Sequence, residues 1–264
     1  MDRRPIGFMD SGMGGISVLG HAIRLFPNEN FLYFGDTANA PYGEKKPDEV
    51  LELTRAGVRT LLNGGCKAIV IACNTATSAA AESLRAELKE PIIGIEPALK
   101  PAALLPGSGK IAVLATTMTL NLPKFLRLKE SYAPDAILLP CPGLMECVEK
   151  RVLKGPEVDE LLDRLLLPVQ NVKLKAAVLG CTHYPFLKAS ISSHLPGVPL
   201  FDGGEGTAKQ LGRRLAEEDL ISDGPGGRVE FLSSDPDPKI RTVMRSMLEL
   251  WSAENDADSQ EALL

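Results

Sequence analysis

Short apolar runs, each cut off by a polar cluster and followed by a segment of helical periodicity, recur along the chain about every 30 residues. The first run, Ile6 to Met9, ends at Asp10-Ser11-Gly12-Met13-Gly14-Gly15 and leads into a predicted helix from about Ile16 to Phe26. Phe31 to Phe34 is a second strand, followed by Gly35-Asp36 and a loop through Ala40-Pro41-Tyr42-Gly43. Pro47 opens the next helix, with Val50, Leu51, Val58, Leu61 and Leu62 on one side, and Asn63-Gly64-Gly65 stops it. Ile69-Val70-Ile71 then reads as a buried strand ending at Cys73, and Asn74 and Thr75 are placed to cap a helix from Ala76 to about Lys89. Alternation of this kind predicts a parallel, doubly wound sheet.

A second series follows. Pro91 to Gly94 is a short strand, and Glu96-Pro97 starts a helix that ends before Pro106-Gly107. Lys110 to Leu114 is a strand, followed by polar Thr116 to Thr119 and a helix to about Glu130. Ala136 to Leu139 leads into Cys141-Pro142-Gly143 and a helix carrying Glu146, Glu149 and Lys150. After a Leu-rich helix from Glu157 to Leu167, the run Ala176 to Leu179 reaches Gly180-Cys181-Thr182-His183. A helix after Pro185, a strand from Pro199 to Phe201, a helix from Gly206 to Glu217 and a strand from Val229 to Leu232 come next. A helix near Ile240 to Trp251 is the last element, and the acidic tail from Ser252 is expected to fray.

The two series match in spacing: Asp10 precedes Cys73 by 63 residues, and Thr116 precedes Cys181 by 65. The expected architecture is therefore α/β, with two similar doubly wound parallel-sheet domains facing each other, each bringing one cysteine to a shared cleft. A strand, a cysteine and a helix start place a thiol at the carboxyl edge of a parallel sheet, where α/β proteins bind ligands. A lone cysteine there would read as a small buried hydrophobe; its repetition gives it a second meaning.

Composition narrows the classes. Of 264 residues, 44% are hydrophobic and 24% charged, which is globular, and a net charge of −5 opposes a general nucleic-acid surface. No 18-residue apolar run and no leader pattern occur, so neither a membrane span nor a signal peptide is expected and the cytoplasm is the default. The five cysteines form no CxxC pair, and two of the three histidines lie far from them, so reduced thiols and no metal site are expected.

Four strand ends carry unusual polar clusters: Asp10-Ser11, Cys73-Asn74-Thr75, Thr116 to Thr119 and Cys181-Thr182-His183. At helix N-termini, Ser, Thr and Asn side chains and free N–H groups suit carboxylates, and a thiol placed there becomes more reactive. The set fits a small anionic substrate between two thiols. None of these clusters holds a lysine, so no pyridoxal phosphate is expected. Gly12-x-Gly14 with Asp36 partly imitates a dinucleotide fingerprint, but the third glycine falls at Ser17 and Asp10 opposes a pyrophosphate. A cysteine hydrolase built on Cys181 and His183 leaves Cys73 unexplained.

Asp10-Ser11-Gly12-Met13-Gly14-Gly15, Pro41-Tyr42-Gly43, Ala72-Cys73-Asn74-Thr75-Ala76 and Gly180-Cys181-Thr182-His183-Tyr184-Pro185 together resemble the glutamate racemase family, in order and spacing, from Ile6 to about Ala208. The resemblance implies a cofactor-independent racemase of the aspartate/glutamate racemase superfamily that makes D-glutamate for peptidoglycan. It makes Cys73 and Cys181 the two catalytic thiols, with Asp10, His183 and Glu149 assisting. Ser11, Tyr42, Gly43, Asn74, Thr75, Thr116, Thr119 and Thr182 become substrate contacts alongside Asp10 and His183. The implied domains are 1–95 with 208–264, and 96–207, the C-terminal segment returning to the first. Cleft closure on substrate is expected about hinges near Gly94 to Pro97 and Phe201 to Gly206. Glutamate is the expected small-molecule partner, with no nucleic acid or membrane, and a homodimer is left open. Leu122, Phe125 and Asn39 depart from the family, which usually has Ser, Tyr and Arg there. A racemase of the same fold for aspartate or another amino acid, and a nucleotide-binding regulator that does not racemise, are the alternatives.

Overall fold

The apolar runs become strands buried on both faces, which is why they read as continuous hydrophobic stretches. The computed structural model describes residues 2–222, 224 and 226–261, the side chains of 256–261 excepted. In chain order, β1 (Ile6–Asp10), α1 (Ile16–Leu25), β2 (Phe31–Gly35), α2 (Pro47–Asn63), β3 (Ala68–Ile71), α3 (Asn74–Glu87) and β4 (Ile92–Gly94) form the first series. The second runs α4 (Leu99–Leu104), β5 (Lys110–Ala115), α5 (Thr117–Asn121), α6 (Pro123–Tyr132), β6 (Ile137–Pro140), α7 (Leu144–Glu149), α8 (Pro156–Leu166), β7 (Leu174–Leu179), α9 (Lys188–His194) and β8 (Leu200–Asp202). The chain closes with α10 (Gly204–Glu217), β9 (Val229–Ser233) and α11 (Lys239–Glu261).

Two all-parallel sheets result, one ordered β4-β3-β1-β2-β9 and the other β6-β5-β7-β8. Strands β2-β1-β3-β4 and β6-β5-β7-β8 share one order, so the echo in the sequence is an echo in topology. In each sheet the winding reverses between the first and third strands of its series, which opens a crevice at their carboxyl ends. Asp10 ends β1 and Cys73 follows β3; Thr116 follows β5 and Cys181 follows β7.

Both faces of each sheet are covered. Met9, Leu32, Phe34, Ile69 and Ile71 pack on Val50, Val58 and Leu61 of α2 and on Ala76, Ala80 and Leu84 of α3. On the opposite face Phe8, Tyr33 and Val70 meet α1, α10 and α11 through Leu19, Leu211 and Met244. Val113 and Val178 pack on the α4 to α6 side, while Leu114 and Leu179 pack towards α7, α8 and α9.

The C-terminal segment returns to the first sheet: α10 packs on α1, β9 pairs with β2, and α11 lies over α1 and β9. Gly20 leaves room for Trp251, whose ring would stand 2.2 Å from a Cβ there. The loop before β9 is tied down by a buried ion pair, in which Lys67 Nζ donates to Glu29 Oε2 at 2.6 Å and the Ser222 N–H donates to Glu29 Oε1 at 2.7 Å. The chain crosses between the sheets twice, after β4 and after β8, and the crossings touch: a Cβ on Gly203 would stand 2.3 Å from the Glu96 carbonyl.

Three local readings are corrected. Helix α3 begins at Asn74, and its cap is the Cys73 sulfur, which accepts the Ala76 N–H at 3.4 Å and leaves the Asn74 side chain free of capping. The single helix expected after Thr119 is two, because Pro123 holds Leu122 extended (ψ 142°) and restarts the turn. The tail from Ser252 continues as helix to Glu261; residues 262–264 lie outside the described range.

Candidate active site

The carboxyl edges of the two sheets face each other, and their polar clusters meet. Ser11, Tyr42, Gly43, Cys73, Asn74, Thr75, Thr116, Cys181, Thr182 and His183 line one cavity, with Met145 of α7 as an apolar wall. Both cysteines are buried, Cys73 at 6% and Cys181 at 8% exposure. The cavity is narrow, about 20 Å³, which is room for about one water and less than an amino acid needs.

Around Cys73 the environment is dry. Burial, with the charge of Asp10 adding to it, pushes its thiol up to about 12, against the Ala76 N–H and Ser11, which favour the thiolate. Asp10 is wholly buried on the neighbouring strand; it accepts the Gly12 N–H at 2.9 Å and the Thr182 hydroxyl at 3.1 Å. Burial raises its carboxyl above the ordinary value, although the His183 charge and these donors oppose the shift.

Around Cys181 the environment is charged. His183 Nδ1 lies 3.6 Å from Cys181 Sγ and Nε2 lies 2.6 Å from Glu149 Oε1. Burial works against a charged imidazole, yet the bonds to Cys181 and Glu149 hold His183 well above its usual value. Burial likewise presses Glu149 upward, but His183 and the Met13 N–H, which donates to Oε1 at 2.7 Å, keep it below the usual carboxylate range. Gly14 has to be glycine for this ring to fit, since a Cβ there would stand 2.3 Å from Nδ1.

Hydroxyls bind the two walls. Thr75 Oγ1 lies 3.0 Å from Thr119 Oγ1 and 3.1 Å from Thr116 Oγ1, and the Thr119 N–H donates to Thr116 Oγ1 at 3.2 Å. Gly43 abuts Thr116, whose Cβ would be 2.9 Å from an added Cβ. Thr119 is fully buried behind the lining, so its contact runs through Thr75 and Thr116. Ser17 Oγ reaches the Thr182 carbonyl at 2.9 Å. Among the described residues, Asn74 Oδ1 is the buried side-chain polar atom without a partner, an acceptor waiting for an N–H.

Every residue given a catalytic or substrate-contact role from the sequence therefore lies at or just behind one cavity, Glu149 included. Asp36 was read only as an imitation of a ribose-binding acid; it is buried and accepts the Tyr42 hydroxyl at 2.5 Å and the Asn39 amide at 2.8 Å, which sets the Pro41-Tyr42-Gly43 wall. Asn39 thus serves that loop from the position where the family often has arginine. Phe125 is buried in the core of its sheet rather than in the cavity. All five cysteines are free, and among the described residues no group of His, Cys, Asp and Glu could hold a metal ion. No helix among them is long and apolar enough to cross a membrane.

Comparison with known proteins agrees with this geometry. The family model for Asp/Glu/Hydantoin racemase matches residues 31–211. The glutamate racemase of Clostridium acetobutylicum is 47% identical over 93% of this chain and 98% of its own, and that of Clostridium novyi is 48% identical over 93% and 97%. Among solved structures, glutamate racemase from Thermus thermophilus in complex with β-chloro-D-alanine superposes with a TM-score of 0.81 at 38% identity over 94% of each chain. Glutamate racemase from Francisella tularensis in complex with D-glutamate gives 0.82 at 29%, over 94% and 95%. Two sheets wound in one order, a thiol at the same place in each, and relatives matched along almost their whole length lead to one assignment: the chain belongs to the Asp/Glu/Hydantoin racemase family.

Proposed function

We propose that this protein interconverts L- and D-glutamate without a cofactor, by proton transfer at the α-carbon between Cys73 and Cys181. One observation carries the reading: the two sulfurs end equivalent strands of two similarly wound sheets and line one buried cavity. Racemisation removes a hydrogen from one face of a carbon and delivers one to the other, and two bases on opposite walls do this without turning the substrate over. One thiol starts ionised and the other protonated; each turnover exchanges their states. By family resemblance Cys73 takes the proton from D-glutamate and Cys181 takes it from L-glutamate.

The surroundings fit the two roles. Cys73, with its thiol raised by burial, is a strong base once ionised in a dry site. Cys181 faces an imidazolium anchored on Glu149, which steadies the sulfur when it carries the charge. Neutral donors from Ser11, Asn74, Thr75, Thr116 and Thr182 suit carboxylate oxygens, and the unpaired Asn74 Oδ1 suits the substrate ammonium. No lysine lines the cavity, so a Schiff base has no partner there. Free thiols are best kept reduced in the cytoplasm, which supports that location, where D-glutamate would serve peptidoglycan. Residues 1–95 with 208–264, and 96–207, are the two units taken to move apart for substrate.

Circular dichroism on L-glutamate tests the reading: the signal should decay to zero with purified protein and no added cofactor. A stable signal with L-glutamate, or a decay as fast with L-aspartate, would refute it; some aspartate turnover is tolerated, since one methylene is worth about 1 to 3 kcal/mol.

A further inference from the structure

Tyr33 is wholly buried on β2, and its hydroxyl donates to the Gly12 carbonyl at 2.8 Å. That carbonyl shares one rigid peptide plane with the Met13 N–H. On the opposite edge of the plane the Met13 N–H holds Glu149 Oε1, and Oε1 in turn meets His183 Nε2. His183 then meets the Cys181 sulfur. An unbroken series of hydrogen bonds thus runs from a strand of the first sheet, through a single peptide, to the thiol of the second.

The neighbouring glycines are shaped to this arrangement. A Cβ on Gly12 would stand 2.2 Å from Glu149 Oε1, and a Cβ on Gly35 would stand 2.5 Å from the Gly12 oxygen. Tyr33 and Gly35 lie two apart on β2 and share a face. Gly35 clears the space that the Gly12 carbonyl occupies, and Tyr33 supplies the donor that keeps it there. The adjoining groups are held too, the Gly12 N–H by Asp10 and the Met13 carbonyl by the Ile16 N–H, but on the Gly12 carbonyl itself the Tyr33 hydroxyl is the side-chain donor. Glu149 is one-fifth exposed, so once its N–H partner turns away it has water to turn to.

We propose that Tyr33 is a positioning residue for the reaction: its hydroxyl fixes the Gly12–Met13 peptide, which fixes Glu149 and, through it, the His183 ring beside Cys181. A donor on a peptide carbonyl also strengthens the N–H across the plane, so orientation and bond strength are lost together. The inference rests on the reading of Cys181 as a catalytic thiol. The charged or titrating groups that face His183 are Cys181, Glu149 and Asp10, and the first two are the ones that this device aligns.

The test is the His183 titration, followed by nitrogen-15 NMR in the full-length protein without substrate and assigned by loss of the signal in His183→Asn. Tyr33→Phe should lower the midpoint by about one pH unit, because an imidazole that loses its ordered carboxylate loses what holds its proton. The same variant should lower kcat about tenfold to a hundredfold with KM within about threefold. Phe231→Leu removes the ring packed 5.8 Å from that of Tyr33 but leaves the hydroxyl; it should lower Tm and leave the titration unchanged. Gly35→Ala should reproduce the shift by displacing the Gly12 carbonyl, and carries the test if Tyr33→Phe does not fold. An unchanged midpoint in Tyr33→Phe, or an equal shift in Phe231→Leu, overturns the proposal. The titration needs no turnover: a shift in Tyr33→Phe relative to a wild type that does not racemise sinks the functional reading and leaves only the structural link from Tyr33 to His183, whereas a racemising wild type whose titration Tyr33→Phe leaves unchanged sinks this proposal and keeps the functional reading.

Discussion

The Thr182 hydroxyl donates to the Asp10 carboxylate at 3.1 Å, and Asp10 ends β1 of one sheet while Thr182 follows β7 of the other. Asp10 beside Cys73 is therefore tuned by the residue next to Cys181. Thr182→Val removes a donor from a buried carboxyl already raised by burial, and raises it further. A hydrogen bond to a charged group is worth about 1.5 to 3 kcal/mol, so kcat/KM should fall roughly tenfold to a hundredfold. The fall should be equal in both directions, because the enantiomers are equal in energy, and Thr182→Ser should restore most of the activity. Steady-state circular dichroism from each enantiomer checks both points; activity in Thr182→Val within twofold of wild type would show that the bond is idle.

Each thiol has its own experiment. Cys73→Ala and Cys181→Ala should both lose racemisation, by at least about a thousandfold. A single remaining thiol can still lift and return a proton on its own face. In deuterated water Cys181→Ala should place deuterium at the α-carbon of D-glutamate without inverting it, and Cys73→Ala should do so with L-glutamate. Proton NMR of the recovered amino acid reads this directly. Exchange of the opposite enantiomer in each case would reverse the assignment of faces.

Asp10 also controls Cys73 ionisation. Burial comes first in pushing this thiol up to about 12, and the nearby carboxylate adds to it. Removing a like charge makes the thiolate easier to form, so Asp10→Asn should move the midpoint down. At one mildly alkaline pH the larger thiolate fraction should speed iodoacetamide labelling of the Cys73 peptide about threefold to tenfold, measured by mass spectrometry. Slower labelling would mean that Asp10 helps the thiolate instead.

Lys67 and Glu29 form an ion pair with side chains 0% and 1% exposed, and Glu29 also holds the Ser222 N–H. Lys67→Met strands a buried carboxylate and should cost about 3 to 5 kcal/mol in urea unfolding, with kcat nearly unchanged in the folded fraction. A cost below about 1 kcal/mol would mean that water replaces the ammonium.

Most of the frame was legible because strands buried on both faces leave unbroken apolar runs, and both cysteines stand where such runs stop. Glu149 came from the resemblance alone, because nothing in the stretch Glu146 to Lys150 marks it out; only the fold brings it onto His183. Tyr33 was hidden inside an apolar strand, where a tyrosine reads as packing. The cap of α3 was misplaced because asparagine and threonine outrank cysteine as caps, whereas the sulfur itself takes the Ala76 N–H. Asp36 was weighed against a nucleotide pattern, and its partner Tyr42 lies across a loop whose path the sequence does not declare.

The two crossings between the sheets, touching where Gly203 meets the Glu96 carbonyl, leave the halves mechanically simple. A body joined to another by one strand can swing in any direction, but two adjacent attachments define an axle, and the remaining freedom is rotation about it. Near that line atoms scarcely move, while the far lips of the cavity travel in an arc. On the proposed opening, the hydroxyl and carboxylate bonds that join those lips lie at the end of the lever and would break together. The proposed closing would reverse the arc and return both sulfurs along one fixed track, so the joint as well as the substrate would guide their alignment.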